Sequence, residues 1–320
     1  MRLFVVMDPP ESLQRRTDTT LAVIEEALRR GHAVDVATPA DLWLDGGELE
    51  ARWRRACLPP AGASSQVPPP GLCVGEAVTS GRVAEYFDLV LMRKDPPYDM
   101  EYHLATLLLE QLRGKVRVVN DPRGLREANE KLFILRFPEL IPATVVSRDR
   151  DFLFEFMRRQ GGEMIVKPLD GYGGAGVLHL QEDDRNNRSL LELMTQGGRR
   201  AVMAQRYLPA ARQGDKRILL LGGEGLGAVL RVPRPDETRA NFHAGGSPAR
   251  TLIEPSELKI IETLRPALAE LGLDLVGIDV IGGHLTEVNV TSPTGVLEIN
   301  QLEGTRLEAR IVDWLERAQA

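Results

Sequence analysis

The sequence predicts an α/β protein. Its N-terminal part reads as parallel strand–helix–strand units, and an antiparallel hairpin lies near the C-terminus. Three observations carry this. Residues 3–7 form an apolar run of buried-strand length, stopped by Asp8, Pro9 and Pro10. A helix follows, with Asp18 or Thr19 to cap it, Leu21, Ile24, Ala27 and Leu28 on its apolar face and Gly31 to end it. Ala33–Ala37 is the next strand, and that spacing marks a parallel α/β unit.

The rest of the first region continues the pattern. Residues 58–71 are rich in Pro, Ala and Ser and read as a surface loop. A strand over 89–92 ends in Arg93, Lys94, Asp95, Pro96 and Pro97. Charge at a strand's carboxyl end is where open α/β sheets bind ligands, although a plain loop would read the same way. A helix over 100–113 and a strand over 116–119 complete the unit.

Length and composition narrow the function. A chain of 320 residues suits two or three domains. Lys plus Arg is 40 against 46 Asp plus Glu, a net charge of −6, so there is no general basic footprint for nucleic acid or anionic membrane. Cys57 and Cys73 have no metal-ligand spacing. Their proximity allows pairing, but 2 cysteines in a chain this long favour a reducing compartment. No apolar run has the length of a membrane span. These features predict a soluble, cytoplasmic protein.

The middle of the chain offers a phosphate cradle. Residues 126–133 read as a helix holding Glu130 and Lys131. A strand over 164–167 ends in Lys167, and Gly171, Gly173, Gly174 and Gly176 follow closely. Glycines let successive N–H groups point at one anion, and the lysine adds a mobile cation. The spacing fits neither a Walker loop nor a dinucleotide fingerprint, and a glycine-rich hairpin turn would also account for it.

A strand over 203–208 leads out of this region. Asp215, Lys216 and Arg217 open a strand over 218–221, and Arg231 lies on a strand over 229–232. The polar stretch 233–247, with Arg234, Arg239, Asn241, Gly245 and Gly246, has the length and composition of a lid loop. An amphipathic helix over 256–271 then delivers the chain to a hairpin over 275–293. Thr305 and Glu308 form a capping box for the last helix.

The hairpin suggests a metal site. A three-residue turn of Gly282, Gly283 and His284 sets Ile281 opposite Leu285 and Asp279 opposite Glu287. Val276, Ile278, Val280, Val288 and Val290 then share one face, with Thr286 in phase. Asp279, Glu287 and Asn289 share the other. Two carboxylates and an amide oxygen suit a hard cation such as Mg²⁺ or Mn²⁺. A two-residue turn would put the carboxylates on opposite faces, and an ordinary solvated face would show the same alternation.

The stretches 129–133, 166–175, 214–217, 237–246 and 277–294, with 6–9 and 92–97 in the first region, resemble bacterial glutathione synthetase of the ATP-grasp superfamily. The likeness covers nearly the whole chain. It is looser over 52–85 and departs at His243, at Ser247 and after Gly295. It implies an N-terminal α/β domain (1–122), a central ATP-grasp subdomain (123–204) and a C-terminal ATP-grasp subdomain (205–320), the last two both α+β. It further implies ATP-dependent ligation of γ-glutamylcysteine and glycine through an acyl phosphate, with glutathione, ADP and phosphate as products.

On this resemblance Lys131 and Lys167 hold the α- and β-phosphates, and Gly171, Gly173 and Gly174 cover the β- and γ-phosphates. Gln205, Arg206, Tyr207 and Leu208 meet adenine, with Asp215 near the ribose or the site edge. Asp279, Glu287 and Asn289 bind two Mg²⁺ or Mn²⁺ ions. Arg217, Arg231 and Arg239 form the catalytic set, and Arg93, Asn241, Ser292 and Thr294 meet the peptide. A homo-oligomer, tetramer or dimer, is implied as well. Two other readings stay open: an ATP-grasp ligase for a different amine, and a non-catalytic ATP-binding protein on the same fold.

Overall fold

The computed structural model describes residues 1–15, 17–58, 72–237, 239–242 and 245–318. Among them the first sheet has seven strands: β1 (Arg2–Val6), β2 (Ala33–Ala37), β3 (Leu42–Asp45), β4 (Glu48–Ala56), β5 (Val74–Arg82), β6 (Leu89–Met92) and β7 (Arg117–Val119). β1 pairs in parallel with β2 and β6, and β6 with β7. These are the apolar runs, buried on both faces as parallel strands are. The helix Thr19–Arg29 covers one face, and Asp18 caps it by accepting from the Leu21 N–H at 2.9 Å.

β3, β4 and β5 form an antiparallel meander where the sequence pattern offered no strand. Their outward side chains are mostly polar, Leu44 and Val78 excepted, and β4 turns Leu49, Ala51 and Trp53 inward. Cys57 and Cys73 are joined as a disulfide, against the sequence preference for reduced thiols. In-register pairing of β4 and β5 brings their Cα atoms to 5.2 Å. Of the expected surface loop 58–71, residues 59–71 lie outside the described set.

A four-stranded sheet follows, in the order β10 (Leu178–Gln181), β9 (Glu163–Pro168), β11 (Val202–Arg206) and β8 (Thr144–Ser147). A five-stranded antiparallel sheet completes the chain: β14 (Ser247–Arg250), β13 (Glu224–Val232), β12 (Asp215–Leu221), β15 (Leu275–Ile281) and β16 (His284–Asn289). Buried Asn120 binds the first sheet to the third. Its Nδ2 donates to the Leu275 and Val290 carbonyls at 2.8 Å, and its Oδ1 accepts from the Asp274 and Leu275 N–H groups.

Three local expectations change. The helix expected over 126–133 lies earlier, at Pro122–Glu127. Proline at its first turn and the Asp121 cap start it there, and Asn129 then captures the Lys131 and Leu132 N–H groups in a turn. The capping box of Thr305 and Glu308 does not form; Asn300 Oδ1 accepts from the Leu307 N–H, and Glu308 binds Asn300 and Arg306. Asn300 reaches that position on a helix, Val296–Glu303, that the sequence reading missed.

The hairpin turn is also shorter than expected. Ile281 pairs with His284 and Val280 with Leu285 around Gly282 and Gly283, both at positive φ. A bulge then adds one residue to β16, so Asp279 still faces Glu287 and Ile278 still faces Val288. Leu285 takes the core place expected for Thr286, whose hydroxyl donates to the Asp279 carbonyl at 3.1 Å.

Candidate active site

A cleft of about 250 Å³ runs between the second and third sheets and reaches the first. Every residue to which the resemblance gives a site role lines it except Arg93. Arg93 is buried behind the wall, with Nε on the Thr20 hydroxyl at 2.9 Å and Nη2 on the Pro293 carbonyl at 3.1 Å. It therefore braces the Ser292–Pro293 segment from outside.

The floor is β12, β13 and the hairpin. Arg217 grips Asp279 through two bonds, Nε to Oδ1 at 2.5 Å and Nη2 to Oδ2 at 3.0 Å. Register explains this, since Arg217 pairs with Asp279 across β12 and β15. Arg231 Nη2 reaches the same carboxylate at 3.0 Å and also binds Asp215. Burial works against the charge of Asp279, but the two guanidiniums hold it well below the usual carboxylate range. Asp215 goes the other way: burial outweighs Arg231 and pushes it up to about 6.

Opposite stands the glycine loop. Gly173 and Gly174 have φ of +59° and +81°, which a side chain would strain. A Cβ on Gly174 would also stand 2.7 Å from Asn241 Oδ1. Arg239 donates from Nη1 to the Gly174 carbonyl at 3.3 Å, with its Nη2 on Glu237 at 2.6 Å. The stretch after β13 thus lies against the loop. Thr238, His243 and Ala244 of that stretch are outside the described residues.

Lys131 and Lys167 stand between floor and loop. Lys131 Nζ meets Glu287 Oε1 at 2.9 Å and binds the Gly171 carbonyl. Burial lowers its pKa, but Glu287 more than compensates and the net shift is upward. Lys167 donates to the Thr286 carbonyl at 3.3 Å, and burial lowers its pKa despite Glu287.

At the far end are apolar Ile165, Val177, Leu208 and Ile281, with Tyr207 stacked on His179 at 4.0 Å between centroids. Gln205 Nε2 donates to the Thr144 hydroxyl at 3.0 Å. Sequence reasoning missed His179 and the role of Glu130. The Glu130 carboxylate accepts from the Val290 and Thr291 N–H groups and the Thr291 hydroxyl, anchoring the chain after β16. No periodicity announces either residue, since both act through a partner distant in sequence.

The donor set for a divalent ion is hard oxygen. Glu287 is bonded through Oε1, and Asn289 donates its Nδ2 to the Gly277 carbonyl at 3.2 Å, leaving Oδ1 as the acceptor on offer. Asp279 lines the same cleft but is held by its two arginines.

Residues 1–126 match the family model of the prokaryotic glutathione synthetase N-terminal domain, and residues 130–304 match that of its ATP-grasp domain. This chain belongs to the prokaryotic glutathione synthetase family. Glutathione synthetases of Synechocystis sp. and Brucella melitensis are 44% and 42% identical to it. The alignments cover 99% of this chain in both cases, and 99% and 98% of the two relatives. Membership makes the chain an ATP-dependent ligase that forms glutathione. Solved structures share the fold at lower identity. The D-cycloserine synthetase DcsG has a TM-score of 0.65 at 14% identity, with 99% of this chain and 100% of that one covered. A RimK-domain ATP-grasp protein of Sphaerobacter thermophilus has 0.60 at 19%, with 98% and 99% covered.

Proposed function

We propose that the cleft carries out glutathione synthesis in two steps at one place. The cysteinyl carboxylate of γ-glutamylcysteine attacks the γ-phosphorus of ATP, giving an acyl phosphate and ADP. The glycine amine then attacks the acyl carbon, and the tetrahedral intermediate expels phosphate and leaves the peptide bond. One observation supports this most: Lys131, Lys167, Arg217, Arg231 and Arg239 all line the cleft that also holds the glycine loop. Such a site neutralises and positions phosphate without needing a protein nucleophile.

In this reading Lys131 and Lys167 hold the α- and β-phosphates, and the N–H groups of 171–174 cover the β- and γ-phosphates. Backbone groups of 205–208 meet adenine above Ile165 and Val177. Asp215 orients Arg231, its ion-pair partner, and the ribose contact first expected of it is secondary. Arg217 and Arg231 stabilise the phosphoryl and then the oxyanion. Asn241, Ser292 and Thr294 hold the peptide, and Arg239 seals the cleft over it. Glu287 and Asn289, with Asp279 behind them, would hold divalent Mg²⁺ or Mn²⁺, two ions in our reading, which screen phosphate charge when bound. The likeness to the family carries the reading of a cytoplasmic homo-oligomer, tetramer or dimer.

The test is phosphate release from ATP and γ-glutamylcysteine, compared over glycine and other amines. Release with glycine well above every other acceptor is expected. A better acceptor than glycine would reassign the substrate.

A further inference from the structure

The reaction uses neither cysteine, yet the two are joined where β4 and β5 approach their connection. Ala56 pairs with Val74, and the next pair outward is Cys57 with Cys73. The Cys57 N–H also donates to the Cys73 carbonyl at 2.9 Å. Both residues are partly exposed, so a small thiol can reach their sulfurs. In a reducing compartment a disulfide is usually transient and redox-sensing.

The bond holds a short segment in place. A register irregularity between Arg54 and Ala56 sets the pair apart from the rest of its ladder, and residues 76–80 of β5 are exposed and add little packing. Leu72, just before Cys73, is buried, and its N–H donates to the Pro10 carbonyl at 2.9 Å. Pro10 lies in the turn after β1, two residues beyond Asp8. Asp8 pairs with Lys94 at 2.7 Å and accepts from the Asp95 N–H at 2.7 Å. Asp95 and Pro96 line the cleft, and the carbonyl of neighbouring Arg93 accepts from the Ser292 hydroxyl at 3.4 Å. A continuous run of contacts thus joins the disulfide to the wall that carries Ser292 and Pro293.

We propose that Cys57 and Cys73 form a site of reversible thiol–disulfide exchange with glutathione, the chain's own product, and that its state sets the affinity for the peptide substrate. This rests on the cytoplasmic and peptide-site readings given above. One glutathione thiolate attacks a cysteine sulfur. The S–S bond breaks, a mixed disulfide forms, and the other cysteine leaves as a thiolate and takes up a proton. A second glutathione thiolate attacks the glutathione sulfur of the mixed disulfide and frees the first cysteine. The protein disulfide gains two electrons and two protons; two glutathiones lose them and become one glutathione disulfide. The reverse reaction closes the bond when the pool is oxidised. The closed form fixes Leu72 on Pro10, and so Asp8 on Asp95. The open form loosens that hold, which weakens peptide binding where reduced product has accumulated.

The test equilibrates the full chain in mixtures of glutathione and glutathione disulfide, from oxidising to reducing, and desalts it rapidly. Alkylation followed by mass measurement counts the free thiols. Initial rates use ATP, glycine and a γ-glutamyl peptide with a methyl group in place of the thiol, so the assay adds no reductant. Two thiols are expected to appear as the mixture becomes reducing. KM for the peptide analogue is expected to rise in step by about fivefold, with KM for ATP unchanged. A double variant, Cys57→Ser with Cys73→Ser, is expected to keep the high KM in every mixture, and its unchanged KM for ATP reports that it is folded. A disulfide that no mixture opens, or thiols that no mixture joins, overturns the exchange. Thiols that appear while the peptide KM stays put overturn the link to the cleft. A wild type without glycine-dependent turnover strikes the ligase reading instead, and the thiol count still judges the exchange.

Discussion

The Lys131 ammonium stands 2.9 Å from Oε1 of Glu287, a residue 156 positions later in the chain. The lysine comes from the turn after the Pro122–Glu127 helix, and the carboxylate comes from the bulged edge strand of the third sheet. Their contact ties the glycine-loop side of the cleft to the hairpin of the third sheet.

Glu287→Gln keeps the shape and removes one charge from the site we propose for phosphate and divalent ions. Turnover is expected to fall by on the order of 10² with the fold intact, as for loss of one transition-state electrostatic contact. Circular dichroism and kcat at saturating Mg²⁺ check this. Near-normal kcat would remove Glu287 from the metal site.

Asp279→Asn should cost stability as well as activity. Asp279 is 2% exposed and offsets two buried guanidiniums, Arg217 and Arg231. Removing one partner of a buried charge network costs about 3–5 kcal/mol. Urea denaturation reads this directly. A loss below about 1 kcal/mol would mean that water or Asp215 already neutralises the arginines.

The stretch between β13 and β14 touches the glycine loop through Arg239 and Asn241, and among its described residues only Ala240 and part of Phe242 bury apolar surface. Its closure should therefore depend on ligand, and an acyl phosphate survives only where water is excluded. Trypsin is expected to cut after Arg234 or Arg239 quickly in the free enzyme and slowly with an ATP analogue plus γ-glutamylcysteine. Equal rates would show that this stretch is not a ligand-gated lid.

Asp215 gives the pH dependence a sign. Its folded pKa is raised to about 6 by burial, above the ordinary value of about 3.9. Between those values the folded chain keeps a proton that the unfolded chain releases, so stability falls as pH rises through about 4 to 6. Asp215→Asn should flatten the contribution of this group. Melting temperatures of the ligand-free protein across that window check it, and an unchanged slope in the variant would place the effect elsewhere.

The strands of the first sheet's centre, the Asp18 cap and the long helix before the hairpin were legible in the sequence because each is a local, repeating apolar pattern. The Asp279–Glu287 pairing was legible too, though by a wrong route. A three-residue turn was expected, and the molecule uses two residues and a bulge, which preserve the same opposition. Turn length depends on which residues the core accepts: the cavity-side place of Thr286 and the core place of Leu285 are tertiary choices. The meander of β3 to β5 went unread although Leu49, Ala51 and Trp53 alternate on β4, because solvated β5 shows no matching pattern with which to pair it. Arg93 read as a ligand-facing residue by its position at a strand end, yet packing buries it behind Pro293. Composition and motif order determined that this chain carries cations, glycines and carboxylates in the order its family uses. Only the tertiary structure decided which cation meets which carboxylate, because Lys131 with Glu287 and Arg217 with Asp279 are contacts between segments that no local interaction relates.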